Sequence, residues 1–207
     1  MSQPTSARRA ATRERLVQAA IGVIAHKGVL GASVEEICEA AGFTRGAFYS
    51  NFDSKDELCV AILASHGEKY LAAAREAITG LDPLTPGQDI TGIISRATGK
   101  FIAATGADAD TILVMSELRL YAAREPALRK AFDEFDQDAT PIFGEMIEHG
   151  LEANGLRLTI PMDDALSLLH AIYDQTALDQ LIRGEAPDSP EAAERLTLVL
   201  QALIVPA

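Results

Sequence analysis

Thr44, Arg45, Gly46, Ala47 and Tyr49 set a hydroxyl, a guanidinium, bare backbone and a phenol almost side by side. A short helix can project these side chains outward together, in the one part of the chain whose charge balance makes it a plausible partner for phosphates. Other chemistry is thinly represented. The chain has no Ser-His-Asp order with supporting turns, no glycine-rich phosphate loop and no Cys/His metal cluster. No enzyme, cofactor or metal site is therefore expected. His149 with Glu145, Glu148 and Glu152 has helical spacing that suits a metal, but an acidic solvated face accounts for it and is the reading adopted. Cys38 and Cys59 fall in helical apolar patterns and read as small core residues in a reducing cytoplasm, with a redox-sensing pair as the alternative.

Short helices must hold the first group in place. Leu16, Ala19, Ala20, Val23 and Ile24 mark one face of a first helix, expected from Thr12 to Lys27-Gly28 after a mobile basic arm at 1–11. Ser33-Val34-Glu35-Glu36 is a capping box that starts a second helix, with Val34, Ile37, Cys38 and Ala41 inward. Gly42 supplies the positive φ that a tight inter-helix turn requires. Thr44 caps a third helix that ends near Asn51, and Ile37, Phe43 and Phe48 form the apolar wedge fixing its crossing angle. A second capping box, Ser54-Lys55-Asp56-Glu57, opens a long helix toward Gly80. This order of short helices, with a glycine turn between the second and third, is a helix-turn-helix pattern.

From Gly28 to Leu58, with SVEEICEAAGFTRGAFYSNFDSKDEL at its heart, the chain resembles the tetracycline-repressor (TetR) family. The likeness covers about residues 12–63. It rests on the capped second helix, the Ala-Gly turn, the Thr opening the third helix, Tyr-x-x-Phe, and a Lys starting the fourth. What the resemblance implies is a DNA reader. Arg45 would reach base edges, most naturally guanine O6 and N7, while Thr44 and Gly46 allow close approach to the groove floor. Tyr49, Lys55 and Ser33 would meet phosphates. Asn51 stands where a His is common in the family, and its amide can bond to a base or a phosphate. An adaptor that had lost DNA binding would lack Arg45, Tyr49 or Lys55, and all three are present.

Charge separates in the same way. Residues 1–69 carry eight Lys/Arg and eight Asp/Glu, so the whole net charge of -12 lies in 70–207, which hold ten and twenty-two. Only the N-terminal part is a plausible partner for phosphates, and an acidic body discourages indiscriminate adhesion to DNA. No apolar run is long enough to span a membrane and no secretory leader is evident, so a cytoplasmic protein is expected.

The expected class is all-α: a helix-turn-helix domain at 1–53 and a helical ligand-binding and dimerisation domain at 54–207, with a linker at 81–87. Nothing reads as a strand. Apolar-periodic stretches follow at about 88–105, 109–123, 126–154, 163–183 and 190–204. The stretch at 163–183 is apolar on two sides, Leu166, Leu169, Tyr173 and Ala177 against Leu168, Ile172, Leu178 and Ile182. With the last helix it suits a four-helix homodimer contact, which the resemblance also implies. Phe101, Met115, Phe143, Met146 and Tyr173 are the candidate apolar lining of a small-molecule effector pocket, with Glu117, Tyr121, His170 and Asp174 as polar handles; ordinary core packing is the alternative for each aromatic and Met, and for His170. The partners expected are a double-stranded DNA operator, an effector that is apolar and neutral or cationic, and a second copy of the chain. The long helix from Ser54 is the expected lever between the two parts.

Overall fold

The computed structural model describes residues 4–79, 90–106, 108–187 and 190–207, so the expected linker at 81–87 lies outside the described residues. In chain order the elements are α1 (Pro4–Gly31), α2 (Val34–Ala41), α3 (Arg45–Tyr49), α4 (Lys55–Thr79), α5 (Ile90–Thr105), α6 (Ala109–Ala122), α7 (Pro126–Glu152), β1 (Leu156–Leu158), α8 (Met162–Ile182), α9 (Glu191–Leu203) and β2 (Ile204–Pro206). The all-α reading is correct, and the chain divides into two compact units. One comprises Met1–His66 and Asp110–Phe135, the other Gly67–Ala109 and Asp136–Ala207. Beyond the residues expected at 1–53, the first unit therefore takes in the start of α4, most of α6 and the start of α7.

In the first unit, α1 begins at Pro4, inside the segment expected to be a mobile arm. Proline is well suited to a helix start, where its missing N–H would have no partner, and the Ala and Arg that follow are strong helix formers. Thr12 consequently caps nothing: its hydroxyl donates to the Arg8 carbonyl at 2.9 Å within the helix. Gly28, at φ 71° and ψ 164°, breaks α1 before its last residues. That conformation is open essentially to glycine alone.

Leu16, Ala20, Ile24, Ile37, Phe48, Phe52, Leu58 and Ile62 form the centre of this unit's core. Val114 and Leu118 of α6 and Leu128 of α7 complete it, although they are distant in sequence. Each large side chain so buried contributes about 1.5–3 kcal/mol relative to exposure.

In the second unit α9 packs against α5 and α8. Ile93, Ile94, Ala192 and Leu196 are buried there, and the Thr98 and Thr197 hydroxyls share a hydrogen bond of 2.6 Å. Contrary to expectation the unit contains strands: β1 and β2 pair antiparallel, with Arg157 opposite Val205. Gly155, at φ 63°, turns the chain after α7. A ladder three residues long is too short to leave a period-two pattern in the sequence. Among the described residues no helix is long and apolar enough to cross a membrane.

Candidate nucleic-acid interface

Local sequence fixes the start of both helices of the motif. The Ser33 hydroxyl accepts from the Glu36 N–H at 3.2 Å, and the Glu36 carboxylate accepts from the Ser33 N–H at 3.0 Å, completing the capping box. Glu36 also pairs with Lys27. The Lys27 bond, then the Ser33 bonds, lower the Glu36 pKa from 4.5 to about 2. Gly42 ends α2 in the left-handed conformation, φ 70° and ψ 35°. Thr44 then caps α3, its hydroxyl accepting from the Ala47 N–H at 3.2 Å.

Cationic side chains tie these pieces together from inside the unit. Arg15 donates to the Ala41 carbonyl at 2.9 Å, where α2 ends, and its guanidinium lies 4.6 Å from the Phe43 ring centroid. Arg13 donates to the Asn51 carbonyl beyond α3, sits 4.1 Å over the Phe52 ring and meets Glu57 at 3.3 Å. Lys55 donates to the carbonyls of Val29 at 2.6 Å and Ala32 at 2.9 Å. Each serves carbonyls left over at a helix end, which need partners. Arg13 and Arg15 were not singled out from sequence. The only signal was their position on α1 beside the buried Leu16.

What remains outward is the expected group on α3. Tyr49 is 49% exposed although large and apolar, and packs one ring edge on the buried Phe48 at 5.2 Å between centroids. Arg45 pairs with Glu35 of α2 and stands 5.9 Å from the Tyr49 ring. Hydrogen bonding to Tyr49, then the charge of Glu35, raises its pKa further, so Arg45 is a permanent cation. At Gly46 an added Cβ would meet only the Thr44 hydroxyl at 3.7 Å, an ordinary contact. Nothing inside the unit demands glycine there.

The other expected contact residues are placed differently. Asn51 is only 7% exposed and its amide donates to the Ala47 carbonyl at 2.8 Å. Ser33 is occupied by its capping box, its hydroxyl donating to Glu36 at 2.9 Å. Lys55 is turned toward the backbone described above.

The expected effector residues fall in both units. Met115 and Tyr121 pack against the first core, and Tyr121 donates to Asp56. Glu117 approaches the Gly28 backbone and, with Tyr121 and Arg124, lines a cleft of about 390 Å³ beside residues 25–31. In the second unit Phe101 and Tyr173 join Tyr70 in an edge-on aromatic group, with centroids 5.2 Å and 5.6 Å from that of Tyr70. His170 stacks against Tyr70 and meets Asp174 at 3.3 Å. Phe143 is half-buried on α7, and the Met146 side chain lies outside the described residues. Tyr70 was missed because no local pattern marks it.

Cys38 and Cys59 are free and buried. Burial pushes both thiols up, Cys59 to about 12, which disfavours the thiolate that redox chemistry needs. His149 and its neighbours Glu145 and Glu148 are exposed, and among the described residues no group of three His, Cys, Asp or Glu side chains is placed to hold a metal ion.

A capped second helix, a left-handed glycine turn and an exposed third helix define an all-α helix-turn-helix protein. Residues 16–62 match the family model for bacterial regulatory proteins of the tetR family. A stretch of 65 residues is 42% identical to the HTH-type transcriptional regulator SrpR of Pseudomonas putida, covering 31% of this chain and 30% of that protein. The matched stretch spans less than half the length of the curated relatives. Solved structures extend the likeness in fold to nearly the whole chain. A TetR-family regulator from Mesorhizobium loti superposes with a TM-score of 0.70 at 19% identity, over 96% of this chain and 99% of that one. FadR from Bacillus subtilis in complex with stearoyl-CoA does so with 0.71 at 16%, over 90% and 96%. Over residues 16–62 the chain is thus similar to the tetR family of bacterial regulatory proteins, and in fold it is similar to solved members of that family over nearly its whole length. That family and these relatives are regulators, not enzymes.

Proposed function

We propose that this chain is a ligand-responsive DNA-binding transcriptional regulator, a repressor that leaves a palindromic operator when a small apolar effector binds. The observation that carries the reading is the outward face of α3, where Arg45, Gly46 and Tyr49 stand exposed on a rigidly capped scaffold. Arg45 reads base edges and Tyr49 meets a phosphate, while Thr44 combines its cap with close approach to the groove. Lys55, Ser33 and Asn51 act chiefly by holding the backbone that carries these groups.

A second copy of the chain completes the reader. Leu168, Ile182 and Leu198 on α8 and α9 are 46%, 74% and 66% exposed, an apolar surface suited to a two-fold contact. Two recognition helices related in this way read half-sites about one helical turn apart or a little more.

An effector that is apolar and neutral or cationic suits the aromatic group of Tyr70, Phe101 and Tyr173 beside Asp174. The neighbouring fold of FadR with stearoyl-CoA supports a ligand in such a body. Within the first unit the signal would travel by α6, whose Tyr121 is bonded to α4 and whose Leu118 is in the core. Release requires that the effector favour the state that does not bind DNA, and a tenfold release needs about 1.4 kcal/mol of such preference. The test is to select bound duplexes from random sequence with the full chain, then to titrate apolar compounds against the complex. A palindromic consensus and release by at least one tight binder are expected. Failure to enrich any sequence over the starting pool would overturn the reading.

A further inference from the structure

We propose that Glu35 is a specificity-determining residue, holding Arg45 for base reading and penalising its use as a plain phosphate contact. The inference rests on the reading that Arg45 faces the duplex. Glu35 and Glu36 share the first turn of α2, but their duties differ. Glu36 is committed to the Ser33 capping box and to Lys27. Glu35 makes no cap. It reaches from α2 to the Arg45 guanidinium at the start of α3, and both side chains are more than half exposed.

This pairing has two consequences for a duplex. A guanidinium carries five N–H donors in a fixed fork, so one edge can rest on Glu35 while the others stay free for a bidentate contact. Glu35 on that edge and the Tyr49 ring beside it restrict the directions Arg45 can take before DNA arrives. On an unrelated sequence, by contrast, Arg45 would have to leave Glu35 to reach a phosphate. A carboxylate would then be stranded beside the phosphate backbone, with like charges facing one another. Correct sequence keeps the pair; incorrect sequence breaks it. Sharper discrimination at the expense of raw affinity follows.

The experiment compares full-length wild type, Glu35→Gln, Glu35→Asp, Arg45→Ala and the Glu35→Gln/Arg45→Ala double variant. Each is titrated with a duplex selected by the wild type and with a random duplex of equal length, over a range of salt. Glu35→Gln should bind the random duplex more tightly, with a salt slope steeper by about one. Its ratio of selected to random affinity should fall about tenfold, within the range for one bidentate base contact. Glu35→Asp keeps the charge but not the reach, so the ratio should fall while the salt slope holds. In the Arg45→Ala background Glu35→Gln should leave the ratio unchanged. A structural role alone would shift thermal stability and move both duplexes together, and that result would overturn the proposal. If Arg45→Ala lowers the ratio but neither Glu35 variant does, Glu35 has no part in specificity and the Arg45 reading stands. If Arg45→Ala itself leaves the ratio intact, the reading of Arg45 fails and this proposal falls with it.

Discussion

The Tyr121 hydroxyl donates a 3.0 Å hydrogen bond to the Asp56 carboxylate, fastening α6 to the first turn of α4 within the first unit. Burial, and then the bond to Asp56, push the phenol pKa from 10.0 up to about 12. Because the folded value is raised, the protonated phenol contributes its full stability below about pH 10 and loses it as the pH rises toward 12. Tyr121→Phe should lower stability by about 1 kcal/mol at neutral pH. It should also flatten the alkaline decline, as followed by denaturant unfolding at a series of pH values. Identical alkaline declines in the two proteins would show that titration of the Tyr121 phenol does not contribute to the loss of stability.

Arg45 and Lys55 should separate cleanly in their effects. Arg45→Ala is expected to cost roughly 1–3 kcal/mol of operator binding and to relax preference at one base pair per half-site. It should leave unfolding almost unchanged, since Arg45 is exposed. Lys55→Ala removes the donor to the Val29 and Ala32 carbonyls, so it should destabilise the protein without DNA by about 1–2 kcal/mol. Any weakening on DNA should be uniform across sequences. A Lys55→Ala protein as stable as wild type, with only a shallower salt slope, would return Lys55 to the phosphates.

Gly28→Ala should be among the more damaging single substitutions in the first unit. Its φ of 71° with ψ of 164° suits glycine alone, and a Cβ would also meet the Glu117 carboxylate at 3.1 Å. The expected loss is about 1–3 kcal/mol, read as a lowered thermal midpoint. Glu117→Ala combined with it should restore only the small steric part, because the backbone strain persists. Full rescue by Glu117→Ala would show that contact, not conformation, governs the site.

Leu198 offers a test of self-association that does not disturb the monomer's core. At 66% exposure its replacement by Asp should leave the unfolding of a single chain nearly untouched. Across a two-fold contact the same change buries unpaired charge, which is costly. Sedimentation at micromolar concentration should therefore show a dimeric wild type and a monomeric Leu198→Asp. A wild type already monomeric there would refute the homodimer.

The sequence made local relations legible and hid distant ones. The Ser33–Glu36 box and the Thr44 cap involve residues three apart, so spacing alone reveals them. Lys55 finds its acceptors 26 and 23 positions away, and nothing in its own surroundings distinguishes a phosphate partner from a buried carbonyl. Asn51 is similar, since an amide following an exposed tyrosine gives no sign of turning inward. Periodicity located α5 to α9 closely, but could not say that Val114 and Leu118 belong with the residues of α1 to α4. The β1–β2 ladder escaped because strand periodicity needs more than three residues to appear.

Because Val114, Leu118, Ala122 and Leu128 complete the core begun by Leu16 and Phe48, the helix-turn-helix unit is not contiguous along the chain. A fragment cut after His66 would leave those positions empty and present raw apolar surface to water. Grafting this unit onto another body would therefore mean transplanting 110–135 as well, across an intervening stretch of foreign chain. Recombination that exchanges only the first 66 residues between relatives must likewise carry a matching partner helix, or produce a protein that clumps before it folds.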